Sequence, residues 1–104
     1  MVEVVTRAEL KQGLADGSIA LIDVREPNEF SAGHIPGAIL LPLSRFNPAE
    51  LPPAGGKRIV FNCRSGKRTL QAIEMSRLGG RSDAIAHYEG SMLDWVGAGE
   101  KVEV

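Results

Sequence analysis

Residues 58–78 read RIVFNCRSGKRTLQAIEMSRL and contain the clearest structural pattern in the chain. The apolar centre of this stretch predicts a strand over 58–62. The following residues, 63–67, include a glycine and predict a tight turn. A helix is predicted over 68–78, because two glycines follow at 79–80 and are typical of a helix C-terminus. The stretch is therefore a strand, a short loop and a helix.

The rest of the chain repeats this alternation. The continuous apolar run 19–22, closed by Asp23, is typical of a strand buried on both faces of a sheet. Thr6 is a predicted helix N-cap, because Glu9 follows three residues later as in a capping box. The predicted elements are strands over 2–5, 19–22, 38–41, 58–62 and 84–88, and helices over 7–16, 27–30, 68–78 and from 91. This order predicts one α/β domain over 1–104, with a parallel sheet flanked by helices on both faces.

Several predicted strands end in residues that should lie close together. Asp23, Pro42, Cys63 and Glu89 each come directly after a predicted strand. In parallel α/β sheets, ligands bind at the edge formed by the carboxyl ends of the strands. The sequence therefore predicts that the functional site lies at this edge.

The composition excludes several classes of protein. Apolar residues make up 43% of the chain and charged residues 24%, which predicts a folded globular protein instead of a disordered one. A net charge of -1 gives no overall field that would attract nucleic acid or an anionic membrane. No apolar run reaches the roughly 18 residues of a membrane-spanning helix, and the N-terminus lacks the pattern of a signal peptide. Neither nucleic acid nor a membrane is expected as a partner.

The chain contains a single cysteine, Cys63. One cysteine forms no internal disulfide and does not make the multi-thiolate site that structural zinc prefers, so we expect no bound metal. These properties fit the reducing cytoplasm, where we expect the protein to act. Cys63 is then either a small buried hydrophobic residue or a reactive thiol.

The residues after Cys63 favour a reactive thiol. A predicted helix start presents unpaired N–H groups and the positive end of its dipole, and a curled loop of N–H groups forms an anion-binding nest. Arg64, Lys67 and Arg68 add three positive charges. Cations at a helix N-terminus are unfavourable unless an anion offsets them. We therefore expect Cys63 to ionise readily and the loop to hold an anion.

Four segments together resemble the rhodanese homology domain in their order and spacing. The resemblance covers nearly the whole chain, and it implies a five-stranded parallel sheet with flanking helices. It also implies a cysteine that takes the outer sulfur of a donor such as thiosulfate and passes it to a thiophile. The four segments are Asp23-Val24-Arg25-Glu26 with Glu29-Phe30, Gly33-His34-Ile35-Pro36-Gly37-Ala38, Cys63 to Arg68, and Glu89-Gly90 followed by Trp95.

The resemblance assigns roles to the loop residues. Cys63 matches the position that carries the sulfur, and Arg64 and Lys67 resemble cations that face the substrate. Arg68 matches the basic residue that closes the loop, where its guanidinium would brace carbonyls or contact an oxyanion. The backbone N–H groups that would cradle the persulfide belong to Arg64, Ser65, Gly66, Lys67 and Arg68.

Other residues of the matching segments are interpreted as supporting the site. Asp23 and Arg25 would orient each other or the loop, as in the family that the chain resembles. His34 lies between Gly33 and Ile35 and is interpreted as a side chain that pins its own loop by hydrogen bonds, in preference to a catalytic base. His87 is expected to be structural or to lie at the rim of the site.

The favoured function is a thiosulfate sulfurtransferase that needs no metal or organic cofactor. Its partners would be a small thiosulfate-like anion as sulfur donor and a thiol, cyanide or an acceptor protein as sulfur acceptor. Two other classes stay open. One is a non-catalytic or sulfur-carrier module of the same fold. The other is a cysteine phosphatase, although its loop needs five residues between cysteine and arginine and only four separate Cys63 from Arg68.

Overall fold

Strands and helices alternate along the whole chain in the computed structural model, which describes all 104 residues. The five strands form one sheet in which every pair of neighbours is parallel, in the order β1-β5-β4-β2-β3. This confirms the predicted fold class. The elements are β1 Glu3–Val5, α1 Arg7–Asp16, β2 Ile19–Asp23, α2 Pro27–Ala32, β3 Ile39–Leu40, 3-10 turns at Leu43–Arg45 and Pro48–Glu50, β4 Arg58–Asn62, α3 Arg68–Leu78, β5 Ala86–Tyr88 and α4 Ser91–Gly97.

The first helix begins and ends at the predicted residues. The Thr6 hydroxyl accepts a hydrogen bond from the Glu9 amide at 3.1 Å, and the Glu9 carboxylate accepts one from the Thr6 amide at 3.0 Å. This capping box pairs two donors that the first turn would otherwise leave free. The helix ends because Gly17 adopts a left-handed conformation with a φ of 77°.

The middle of the sheet is formed by β2 and β4, which pair over their full length from Ile19 and Arg58 to Asp23 and Asn62. All five residues of β2 are buried, as the apolar run predicted. Side chains alternate between the two faces of the sheet, and each face packs against its own apolar cluster. The first cluster includes Leu10, Leu21, Val60, Tyr88 and Trp95, and the second includes Ile22, Phe61, Cys63, Ala72 and Ile73.

The structure corrects several predicted boundaries. The second helix continues to Ala32, two residues past the predicted end, and Gly33 then terminates it. The third strand is only Ile39–Leu40, because β3 is an edge strand that pairs with β2 alone. The fifth strand starts at Ala86 because Ala84 belongs to a turn closed by its amide on the Arg81 carbonyl. No helix of the chain has both the length and the apolar character needed to cross a bilayer.

Candidate active site

The predicted strand-end segments do meet at one edge of the sheet. The amide of Val24, just after β2, donates to the carbonyl of Asn62, the last residue of β4. The amide of Leu43, which follows Pro42, donates to the Val24 carbonyl at 3.1 Å. Backbone bonds therefore join the segments after β2, β3 and β4. The Cys63 loop lies at this edge, between the end of β4 and the first turn of α3.

The Cys63 loop curls around a buried sulfur. Cys63 is 1% exposed, and the Gly66 amide donates to its Sγ atom at 3.0 Å. Gly66 adopts a φ of 90°, and a β-carbon at this position would lie 2.4 Å from the Glu89 carbonyl oxygen. Only glycine fits, because any other residue would be strained in this backbone conformation and its β-carbon would clash with the neighbouring backbone. The loop is thus held tightly against the segment that follows β5.

The surroundings of Cys63 favour its ionised form. Burial acts against ionisation, but the backbone amides of Thr69, Gly66 and Ser65, together with the Ser91 hydroxyl, outweigh it and lower the pKa of the Cys63 thiol below its ordinary value. The Gly66 amide is the loop N–H group within hydrogen-bond distance of the sulfur, and the persulfide cradle formed by the amides of Arg64 to Arg68 stays a prediction. No cation is among the groups that affect this pKa most.

The three loop cations occupy different environments. Arg64 and Lys67 are exposed and form no ion pair, so no carboxylate of the chain neutralises their charges. Arg68 instead donates two hydrogen bonds to the Glu29 carboxylate, from Nη1 to Oε1 at 2.6 Å and from Nη2 to Oε2 at 2.9 Å. The Arg68 guanidinium hydrogen bond lowers the pKa of Glu29 to about 2.

Of the two roles predicted for the Arg68 side chain, this pairing contradicts only the bracing of loop carbonyls, and contact with an oxyanion stays a prediction. Its guanidinium braces no loop carbonyl, because a carboxylate on α2 lies within reach and is a stronger partner for a planar cation. Arg68 therefore ties the start of α3 to α2. The loop is instead held by backbone contacts, by the conformation of Gly66 and by the hydroxyl groups of Thr69 and Ser91.

Asp23 and Arg25 orient each other as predicted. Arg25 donates to Asp23 from Nε at 3.0 Å and from Nη2 at 2.8 Å, and both side chains are buried. Arg25 Nη2 also donates to the Gly33 carbonyl at 2.9 Å. The pair therefore joins the end of β2 to the end of α2.

His34 also acts through local hydrogen bonds. Its Nδ1 atom lies 2.9 Å from the Phe30 carbonyl oxygen, and its ring stacks on the Phe30 ring at a centroid distance of 3.8 Å. Its backbone pairs with Glu103 in the C-terminal segment. No hydrogen bond joins His34 to the Cys63 loop, which agrees with its interpretation as a pinning residue.

Sequence reasoning missed three contacts of the loop. The buried Thr69 hydroxyl donates to the Gly66 carbonyl at 2.8 Å and lies 2.7 Å from His87 Nδ1. Because the single hydroxyl proton of Thr69 is donated to the Gly66 carbonyl, the hydrogen bond between Thr69 and His87 is donated by the imidazole. Burial lowers the pKa of His87, and the charge of Glu89 opposes this effect. The third missed contact is Ser91, whose hydroxyl accepts from the Cys63 amide at 3.1 Å.

These features define a parallel α/β domain that directs backbone N–H groups at one buried sulfur. Residues 6–98 match the Rhodanese-like domain family, and the chain therefore belongs to that family. No group of three His, Cys, Asp or Glu side chains is arranged so that it could hold a metal ion.

Comparison with known proteins identifies relatives of different lengths. An uncharacterized protein of Synechocystis is 44% identical over 90 residues, which cover 86% of this chain and 50% of that protein. The human thiosulfate:glutathione sulfurtransferase is 35% identical over 106 residues, covering 88% of this chain and 91% of that enzyme. A solved structure of a human single-domain sulfurtransferase is 34% identical with a TM-score of 0.77, covering 93% of this chain and 97% of that one. The chain thus spans half the length of the cyanobacterial relative and nearly all of the human ones.

Proposed function

We propose that this chain is a thiosulfate sulfurtransferase that carries sulfane sulfur as a persulfide on Cys63. The observation that carries the proposal is the Gly66 N–H group 3.0 Å from the Cys63 sulfur, within a loop whose amides lower the pKa of that thiol. Such a cradle suits an anionic sulfur better than a neutral one. The names of the human relatives support the same activity.

The reaction has two half-steps. In the first, the Cys63 thiolate attacks the outer sulfur of thiosulfate, a new sulfur–sulfur bond forms, and the old one breaks as sulfite leaves with the bonding electrons. In the second, a thiolate or cyanide attacks the outer sulfur of the persulfide, and the Cys63 thiolate is regenerated. This is covalent catalysis through a ping-pong sequence. The loop amides stabilise the negative charge on both forms of Cys63.

The two free cations favour a dianionic donor. Arg64 and Lys67 are exposed and lack a carboxylate partner, so both charges are available to an approaching anion. Thiosulfate carries two negative charges and gains more from such a pair than a monocarboxylate such as mercaptopyruvate would. We assign donor capture to these side chains.

Phosphatase activity fits this loop poorly. Four residues separate Cys63 from Arg68, which leaves little room for a tetrahedral phosphate. The Arg68 guanidinium is also committed to Glu29 and would have to leave it in order to bind a phosphoryl oxygen. A module with no chemistry of its own would not need a cysteine whose thiolate is stabilised.

The proposed chemistry needs no metal or organic cofactor, because the thiolate is the nucleophile and the amides balance its charge. The acceptor is a small thiol, cyanide or the thiol of an acceptor protein. We expect the protein to act in the cytoplasm, where reducing conditions keep a lone thiol available.

The test is a steady-state assay of the purified chain with thiosulfate and cyanide. We expect sulfite and thiocyanate to appear in equal amounts and the initial rates to give the parallel double-reciprocal lines of a ping-pong mechanism. The Cys63→Ser variant should be inactive while keeping the melting temperature of the parent within a few degrees. Phosphomonoester hydrolysis that disappears in Cys63→Ser, with no thiocyanate formed by the parent, would instead support the phosphatase class.

A further inference from the structure

Ser91 has an unusual backbone conformation next to the Cys63 loop. It is the one non-glycine residue of the chain with a positive φ, at 52°, and it is fully buried. A β-carbon in this left-handed region carries a steric penalty that glycine avoids. The preceding residue, Gly90, differs because a β-carbon there would lie 2.4 Å from the Asp94 β-carbon. Glycine is thus needed at 90, whereas at 91 it would merely relieve the strain.

The Ser91 hydroxyl makes contacts that glycine could not make. It accepts a hydrogen bond from the Cys63 amide at 3.1 Å and donates to the Tyr88 carbonyl at 2.9 Å. The next two backbone amides of α4 also bind the Cys63 loop. Met92 donates to the Cys63 carbonyl and Leu93 to the Arg64 carbonyl, each at 3.0 Å. The start of α4 therefore holds both the amide and the carbonyl of Cys63.

The same hydroxyl also lies 3.8 Å from the Cys63 Sγ atom. A hydroxyl has one proton, so it donates either to the Tyr88 carbonyl or to the sulfur. While Cys63 is a neutral thiol, the nearer carbonyl is the better acceptor. Once the sulfur is ionised it becomes the stronger acceptor, because hydrogen bonds to charged groups are shorter and stronger than those between neutral groups.

We propose that Ser91 is a positioning residue for Cys63, whose hydroxyl holds the Cys63 amide and turns its proton from the Tyr88 carbonyl to the sulfur when the sulfur is negatively charged. The inference rests on the proposed function only in taking Cys63 as the reactive group. It explains why a strained serine occupies a position at which glycine would fit with less strain.

The test compares Ser91→Gly with the parent by the rate of Cys63 alkylation with iodoacetamide across a range of pH. Iodoacetamide reacts with the thiolate, and the chain has no other cysteine. We expect the midpoint of the rate profile to move to higher pH and the rate below that midpoint to fall about two- to fivefold. The melting temperature of Ser91→Gly should stay above that of Ser91→Ala, because both variants lose the hydroxyl partner of the Cys63 amide and only glycine relieves the left-handed strain.

Two further variants separate this role from a merely structural one. Ser91→Ala keeps the strained β-carbon and loses the hydroxyl, so it should share the raised midpoint and also melt at a lower temperature. Ser76→Ala is the matched control, because the buried Ser76 hydroxyl donates to the Ala72 carbonyl at 2.7 Å and does not contact Cys63. It should lower the melting temperature and leave the alkylation midpoint unchanged.

An alkylation profile of Ser91→Gly that coincides with that of the parent would overturn the inference. The outcome is independent of sulfur transfer, because alkylation needs no donor or acceptor. A shifted profile in a protein that never accepts sulfur from thiosulfate would support the role of Ser91 and refute the proposed function.

Discussion

Replacing Gly66 with alanine should damage both the fold and the reactivity of Cys63. The new β-carbon would meet the Glu89 carbonyl oxygen at 2.4 Å, at a residue whose φ is 90°. The left-handed conformation costs about 1–2 kcal/mol for a residue with a β-carbon. The overlap with backbone adds about 1–3 kcal/mol, because neither partner is a flexible side chain. We therefore expect Gly66→Ala to lower the free energy of unfolding by about 2–5 kcal/mol.

The same substitution should also weaken the cradle. The Gly66 amide lies 3.0 Å from Cys63 Sγ, so the shift needed to relieve the overlap moves this donor away from the sulfur. A hydrogen bond to a charged group contributes about 1.5–3 kcal/mol, and losing it should slow alkylation of Cys63 at least about tenfold at a pH below the midpoint. The pKa of the Cys63 thiol should rise, because burial then acts against ionisation with fewer donors to oppose it.

Gly55→Ala is the matched control for this experiment. Gly55 has a φ of 84°, close to that of Gly66, but a β-carbon there would meet no atom within 4 Å. Gly55→Ala should therefore lower the free energy of unfolding only by the cost of the left-handed conformation, about 1–2 kcal/mol, and leave the reactivity of Cys63 unchanged. Denaturant unfolding and alkylation rates measure the two effects. If Gly66→Ala is as stable and as reactive as Gly55→Ala, the cradle does not depend on the close approach to Glu89.

Two further predictions concern the charged residues around the loop. The Arg68 guanidinium lowers the pKa of Glu29 from 4.5 to about 2, so the pair stabilises the fold above pH 4.5 and this contribution disappears as the pH falls towards 2. Glu29→Gln and Arg68→Ala should each lower the free energy of unfolding by about 1 kcal/mol at neutral pH. In both variants the melting temperature should depend less on pH on the acid side than it does in the parent. Equal slopes in the parent and the variants would refute this prediction. Arg64→Ala and Lys67→Ala should each reduce kcat/KM for thiosulfate about ten- to thirtyfold, mainly through KM, with no change in melting temperature. An unchanged KM with a lower melting temperature would make these two cations structural.

Local sequence signals predicted much of the fold correctly. Thr6 and Glu9 determine where α1 begins, and Gly17 determines where it ends, because capping depends on residues a few positions apart. The position of Cys63 between β4 and α3 was likewise predicted from an apolar run and a helical segment on either side of a glycine turn. The edge of the sheet that holds the site followed from the parallel topology.

Contacts between distant segments could not be predicted in the same way. The partner of Arg68 is Glu29, 39 positions away, and their meeting depends on how α2 packs beside α3. His87 and Thr69 come together because α3, which carries Thr69, packs against β5, which carries His87. The hydrogen bonds between Ser91 and the Cys63 loop likewise required coordinates, because the two residues lie 28 positions apart in the chain.

Intact-mass measurement tests whether Cys63 carries sulfur. The parent protein and Cys63→Ser would each be incubated with excess thiosulfate and separated from small molecules, and their intact masses would be measured. Both proteins would then be treated with cyanide and their masses measured again. We predict that the parent gains the mass of one sulfur atom and loses it to cyanide, while Cys63→Ser gains nothing. A parent protein that gains no mass, or a Cys63→Ser variant that gains the same mass, would contradict sulfur transfer through Cys63.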